Sequence, residues 1–150
     1  YVHDVVGCNS RLDTIQAAVL RIKLRQLDNY IDARRDVAEA YDAAFAQLPG
    51  VEIPFRATDS KHVFHQYTLK LKGHNRDALQ AHLQEAGIPS MIYYPIPAHR
   101  QKMFAHFDVQ GLELPLTEAL CKEVISLPIH TEMDEQQLNY IIEHFISFFK

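Results

Sequence analysis

The sequence predicts an α+β fold, in which a small and mostly antiparallel sheet is faced by helices and preceded by a long helical region. Apolar residues recur at helical spacing over residues 12–48 and again over residues 134–149. Residues 65–72 (HQYTLKLK) instead alternate apolar and polar side chains, as a half-buried strand does. At 150 residues the chain is long enough to bury a core of its own.

The first predicted element is the helical region of residues 1–50. Asn9 or Ser10 is predicted to cap it, and Asp13 adds a favourable charge in the first turn. The apolar stripe changes register near residues 28–29, which indicates a kink or two helices that meet end to end. Such a region is longer than the core of a small domain needs, so we expect it to bridge two domains or to pack against another subunit.

Residues 51–150 are predicted to form the α+β domain itself. The strand over 65–72 is followed by a helix that Asn75 caps and Gly87 ends. The later elements follow in order: a short strand over 90–94, a helix from Thr117 to about residue 123, a strand over 124–127 and a last helix over 134–149.

The composition narrows the possible partners and locations. The 15 basic and 19 acidic residues give a net charge of −4 without a basic run, so we expect no nucleic acid partner. No apolar stretch has the roughly 18–20 residues of a membrane helix. Cys8 and Cys121 match no metal or redox spacing, which predicts no metal site and a cytoplasmic location. Because the chain begins without Met and inside a motif, we expect it to be a fragment.

Four blocks carry a resemblance to a known family. In chain order they are GCNSRLDTIQAAVLRIKL, HQYTLKL, GIPSMIYYPIPAH and LPLTEALCKEVISLPIH. Together they resemble the C-terminal part of the DegT/DnrJ/EryC1/StrS sugar aminotransferases, which are pyridoxal-phosphate (PLP) enzymes on the aspartate-aminotransferase fold (fold type I). The resemblance covers essentially the whole chain, and the YYPIPAH stretch is most similar to enzymes that aminate 3-keto or 4-keto nucleotide-linked sugars.

The resemblance implies that the chain holds the small domain while the PLP-binding large domain is absent from it. In the family, the Schiff-base lysine lies in that large domain, upstream of the G-x-N-x-R motif. No lysine of this chain is in a sequence context that suits the role, because each lies among polar residues or on an amphipathic helix. We therefore expect no catalytic residue here and no activity from the chain alone.

The same resemblance assigns roles to the G-x-N-x-R motif, which is Gly7 to Arg11 here. Asn9 is implied to donate to the PLP phosphate of the neighbouring subunit, and Arg11 to lie near that subunit's substrate. A helix N-terminus suits a phosphate, and a guanidinium suits a carboxylate or phosphate. The alternatives are that Asn9 only caps the helix and that Arg11 forms an interfacial ion pair.

Tyr93, Tyr94 and His99 form a second candidate site, in a loop that two prolines stiffen. The resemblance places this loop beside the nucleotide-sugar, again at the adjacent active site of a homodimer. The alternative for the tyrosines is packing, since one of two neighbours on a strand points inward. Ala98 departs from the Leu that the family usually has before this histidine.

The resemblance thus implies a PLP-dependent aminotransferase that transfers an amino group from glutamate to a keto nucleotide-sugar. The implied product is an amino sugar for bacterial surface polysaccharide. Two alternatives remain open at this point. The first is a sugar dehydratase of the same family, in which a histidine replaces the Schiff-base lysine. The second is a non-enzymatic α+β module for ligand binding or dimerisation.

Overall fold

A computed structural model describes residues 10–104 and 111–150. Five helices and three strands occur in this part of the chain, with short 3₁₀ segments between some of them. They are α1 (Thr14–Lys23), α2 (Leu27–Phe45), β1 (Val51–Glu52), β2 (Tyr67–Leu71), α3 (Arg76–Glu85), α4 (Pro115–Glu123), β3 (Val124–Leu127) and α5 (Glu135–Ser147). The predicted α+β fold with a small antiparallel sheet is confirmed.

The predicted long helical region consists of two helices that meet end to end. The 3₁₀ segment Leu24–Gln26 joins α1 to α2, slightly earlier than the predicted register change. The N-cap of α1 is Asp13, whose carboxylate accepts a hydrogen bond from the Gln16 amide at 2.8 Å. The prediction that Asn9 or Ser10 caps this helix is therefore wrong, because the helix begins only at Thr14.

The sheet has the order β1-β2-β3, and both pairs are antiparallel. In β2 the predicted alternation holds, with Tyr67, Leu69 and Leu71 buried. The predicted strand over 90–94 is wrong. Among the described residues, this segment has one isolated bridge, between Met91 and Ser126, because flanking prolines at 89 and 95 have no amide hydrogen for a longer ladder.

Local signals located both ends of α3 well. Asn75 caps α3 by accepting from the Ala78 amide at 3.0 Å, and Gly87 follows its end with a φ of 72°. Asp134 caps α5 in a capping box with Gln137. The prediction that Thr117 caps α4 is wrong, because Pro115 already occupies the first turn of that helix.

The core lies between the sheet, the C-terminal half of α2 and the helices α3 and α5. Aromatic rings at its centre contact one another: Tyr41 lies 4.9 Å from Tyr67 and 5.4 Å from Phe45, which in turn lies 4.3 Å from Phe145. α1 by contrast has no buried residue. The two helices of the helical region thus differ in packing. The division of the chain into residues 1–50 and 51–150 stays a prediction.

Candidate functional site

Tyr93 and Tyr94 lie on the loop that leaves the sheet after the Met91 bridge. The Tyr93 side chain is 36% exposed and that of Tyr94 is 71% exposed. Their rings stand nearly perpendicular, at 76°, with centroids 5.9 Å apart. Both tyrosines are thus exposed at the surface, Tyr94 more than Tyr93.

Both tyrosines line an open groove of about 710 Å³ between this loop and α4. The wall that α4 and the following residue supply consists of Thr117, Leu120, Cys121 and Val124. The lining is therefore largely apolar and aromatic, and the two tyrosines also carry phenol hydroxyl groups. Such a surface can stack against a planar ring and donate hydrogen bonds to oxygen atoms.

His99 lies in the 3₁₀ segment Ala98–Arg100 and is only 7% exposed. Its Nε2 atom is 3.1 Å from Oε1 of Glu118 on α4, and Nη2 of Arg100 donates to the same oxygen at 3.0 Å. These bonds from His99 and Arg100 lower the pKa of Glu118, so its carboxylate stays ionised near neutral pH. His99 is not among the side chains that line the groove.

Of the three fixed positions of the G-x-N-x-R motif, only Arg11 lies in the described part of the chain. Its side chain is exposed, just before the cap of α1. Within residues 10–104 and 111–150, Arg11 forms no hydrogen bond or ion pair, including none with Tyr93, Tyr94 or His99. Asn9 lies outside the described residues. The roles predicted for these five residues stay predictions.

No pattern in the sequence points to a role for Glu118. The residue lies in the quoted block LPLTEALCKEVISLPIH, but 19 positions separate it from His99 in the sequence. No local spacing signals such a pair. Acidic residues are common in the first turn of a helix because they interact favourably with the helix dipole. The position of Glu118 in α4 therefore does not by itself indicate a further role.

A Schiff base to PLP requires a lysine amine that can lose its proton. All seven lysines of the chain lie among the described residues, and none is buried. Lys61 pairs with Asp32 at 3.0 Å, and both Lys70 and Lys72 pair with Glu52. Glu52 raises the pKa of Lys72, which keeps that amine protonated and unable to act as a nucleophile. The contacts of Lys61, Lys70 and Lys72 are thus those of surface cations paired with carboxylates.

The model of the DegT/DnrJ/EryC1/StrS aminotransferase family matches residues 1–146. The chain belongs to this family. A relative named pleiotropic regulatory protein, from Geobacillus stearothermophilus, is 41% identical over 152 aligned residues that cover 100% of this chain and 40% of the relative. The UDP-N-acetyl-3-dehydro-alpha-D-glucosamine 3-aminotransferase of Acidithiobacillus ferrooxidans is 44% identical over 92% of this chain and 36% of its own length.

Solved structures have the same fold. The structure of DesV from S. venezuelae in complex with a ketimine intermediate matches with a TM-score of 0.89 and 35% identity, over 100% of this chain and 40% of DesV. NtdA from Bacillus subtilis, solved with bound pyridoxamine phosphate (PMP), matches with a TM-score of 0.85 and 27% identity, over 94% of this chain and 33% of NtdA. The chain thus spans about 40% of the length of the Geobacillus relative and of DesV.

Two further observations concern the described residues alone. None of their helices combines the length and apolar character that a membrane span needs. Among them, no three histidine, cysteine, aspartate or glutamate side chains converge in a way that would hold a metal ion.

Proposed function

We propose that this chain is the C-terminal part of a PLP-dependent aminotransferase that transfers an amino group, from glutamate, to a keto nucleotide-sugar. The observation that carries the proposal is the match of residues 1–146 to an aminotransferase family. A relative at 44% identity is named as an aminotransferase of a UDP-linked 3-keto sugar, which supports the substrate class. The product would be an amino sugar for bacterial surface polysaccharide.

The groove beside Tyr93 and Tyr94 suits the proposed substrate. A nucleotide-sugar presents a planar base, a charged diphosphate and a polar ring. Exposed aromatic faces can stack on the base, and phenol hydroxyls can donate to diphosphate oxygens. We assign these contacts to Tyr93 and Tyr94, and the phosphate and substrate contacts across the subunit interface to Asn9 and Arg11.

The cofactor belongs to the proposal for the intact protein. PLP supplies the electron sink that amino transfer requires. The Schiff-base lysine is assigned to a part of the protein outside this chain, which agrees with the exposed and ion-paired lysines found here. On this view the chain alone is inactive and contributes the small domain, α1 and residues that complete a neighbouring site.

The proposal includes a homodimer and a cytoplasmic location. A dimer agrees with α1, which has no buried residue and exposes Ile15, Val19 and Ile22, and with the exposed Leu12 just before the helix. Cys121 is a free thiol, as expected in a reducing compartment. A dehydratase or a non-enzymatic module is not favoured, since the relatives with a named sugar substrate are aminotransferases.

The test uses the full-length protein in its PLP form. Addition of L-glutamate is expected to convert the PLP absorbance band to that of PMP. A panel of UDP-linked and dTDP-linked 3-keto and 4-keto sugars is then added, and one of them is expected to restore the PLP band. Absence of both spectral changes would contradict the aminotransferase proposal. A response to the sugar without any response to an amino donor would point to the dehydratase.

A further inference from the structure

The segment that presents Tyr93 and Tyr94 to the groove has few regular backbone contacts to hold it. After the Met91 bridge, the described residues up to 104 form no strand and only two short 3₁₀ turns. The positions of the two tyrosines therefore depend on side-chain contacts. The interaction of His99 and Arg100 with Glu118 joins this segment to α4, the helix that forms the opposite wall of the groove.

The geometry of this interaction defines what His99 does. A carboxylate only accepts hydrogen bonds, so Nε2 of His99 carries the proton that points to Oε1 of Glu118. The ring is buried against α4, while the neighbouring Pro97 and Ala98 line the groove. Nε2 thus donates its hydrogen bond to Glu118 and has no proton left to donate to a ligand in the groove.

The charges make this interaction specific to a carboxylate. Glu118 accepts from two residues at one oxygen, and the guanidinium of Arg100 is always charged. Charge-assisted bonds of this kind are roughly twice as strong as neutral ones. An amide at position 118 would keep one acceptor oxygen but lose the charge, which predicts an intermediate effect for Glu118→Gln.

We propose that Glu118 is a positioning residue for nucleotide-sugar binding, which holds the segment carrying Tyr93 and Tyr94 against α4 through His99 and Arg100. His99 accordingly acts through Glu118 and not as a ligand of the substrate in the groove. The inference rests on the proposed function, since it concerns the sugar-dependent half of the reaction. The glutamate-dependent half requires no nucleotide-sugar and is independent of this segment.

The experiment compares Glu118→Ala and Glu118→Gln with the wild type in the full-length PLP enzyme. The substrate is the keto nucleotide-sugar with the highest kcat/KM in the panel described above. We expect KM for this sugar to rise about tenfold in Glu118→Ala and about threefold in Glu118→Gln, as loss of a charge-assisted hydrogen bond implies. We expect kcat and the rate of the glutamate half-reaction to stay within about twofold, because neither requires this contact.

Glu143→Ala is the matched control, since Glu143 is an exposed glutamate on α5 without a hydrogen bond or ion pair to any described residue. Amide hydrogen exchange is a second readout that needs no substrate. Peptides from residues 93–104 are expected to exchange faster in Glu118→Ala than in the control. A double-mutant cycle of Glu118→Gln with His99→Asn is expected to be non-additive, because both changes break the same bond.

The outcomes separate this inference from the proposed function. If the wild type responds to neither L-glutamate nor any sugar, the proposed function fails and the role of Glu118 in substrate binding fails with it. If the wild type is active and Glu118→Ala leaves KM unchanged, the positioning role is refuted while the aminotransferase stands. Equal losses in both half-reactions, or additive effects in the cycle, would also refute it, since they indicate a general loss of structure or a direct contact of His99 with the sugar.

Discussion

At the scale of single residues, Gly50 and Gly73 allow a direct comparison. Both have a left-handed backbone, with φ of 74° and 78°. A Cβ at Gly50 would overlap the Lys72 carbonyl oxygen and the His74 ring, whereas a Cβ at Gly73 would meet nothing within 4 Å. A side chain at either position would therefore carry the free-energy cost of a left-handed backbone. Only a side chain at Gly50 would also carry the cost of a steric clash.

We expect Gly73→Ala to lower the free energy of unfolding by about 1 kcal/mol, the cost of a left-handed alanine. Gly50→Ala adds a clash with backbone, and its total cost is expected to be about 2–4 kcal/mol. Urea denaturation of both variants and the wild type provides the measurement. Equal losses in the two variants would show that the Gly50 turn relaxes around a methyl group.

Single residues also show how far the sequence predicts local structure. Asn75 and Gly87 were identified correctly because a cap and a left-handed end depend on neighbours a few positions away. No sequence pattern indicated a structural role for Asp42. It accepts from Tyr67 and Arg56, each at 2.7 Å, and these partners come from a distant strand and a loop. Such a network depends on the fold and has no local pattern.

At the scale of elements, α1 and α5 each begin at an aspartate cap but differ in their packing. Asp13 and Asp134 each accept a hydrogen bond from the amide three positions on, at 2.8 and 2.7 Å. α5 contributes Ile141 and Phe145 to the core, whereas α1 has no buried residue. Loss of the cap should therefore destabilise the whole chain at α5 and only the local helix at α1.

We expect Asp134→Ala to lower the free energy of unfolding by about 1 kcal/mol, a typical cost for a lost cap. Asp13→Ala is the matched control and is expected to leave the global value nearly unchanged while amide exchange in residues 14–23 becomes faster. Urea denaturation and hydrogen exchange measure the two effects. A similar global loss in Asp13→Ala would mean that α1 unfolds together with the core.

Elements were predicted well where the apolar periodicity was clear and less well where only β-forming residue types indicated a strand. The wide apolar stripe of α5 and the alternation of β2 predicted those elements correctly. Residues 90–94 have enough β-forming side chains for a strand, but the structure pairs only Met91 with Ser126. The flanking prolines limit the length of the pairing, whereas the partner of Met91 follows from the fold and not from the sequence of this segment.

At the scale of the whole molecule, the exposed face of α1 makes a prediction about assembly. Ile15 is 80% exposed, Val19 and Ile22 continue the same stripe along α1, and the exposed Leu12 lies just before the helix. In the proposed homodimer this stripe is buried, and burial of one isoleucine contributes about 1.5–3 kcal/mol. Ile15→Asp in the full-length protein is therefore expected to raise the dimer dissociation constant at least about tenfold.

Analytical ultracentrifugation over a range of concentrations measures this constant. Gln16→Asp is the control, because it adds the same charge at an exposed position beside the stripe. If both variants dimerise as the wild type does, α1 lies outside the dimer interface, and its apolar stripe would then pack within the subunit.

The sequence by itself determined the α+β class, most helices and the family, because these depend on periodicity, caps and motif order along the chain. The tertiary structure decided which side chains meet. It placed Tyr93 and Tyr94 in one groove with α4, and it turned His99 toward Glu118. Contacts between residues far apart in sequence form only once the core has set the distance between a loop and a helix, and this is why Glu118 could be recognised only in the folded chain.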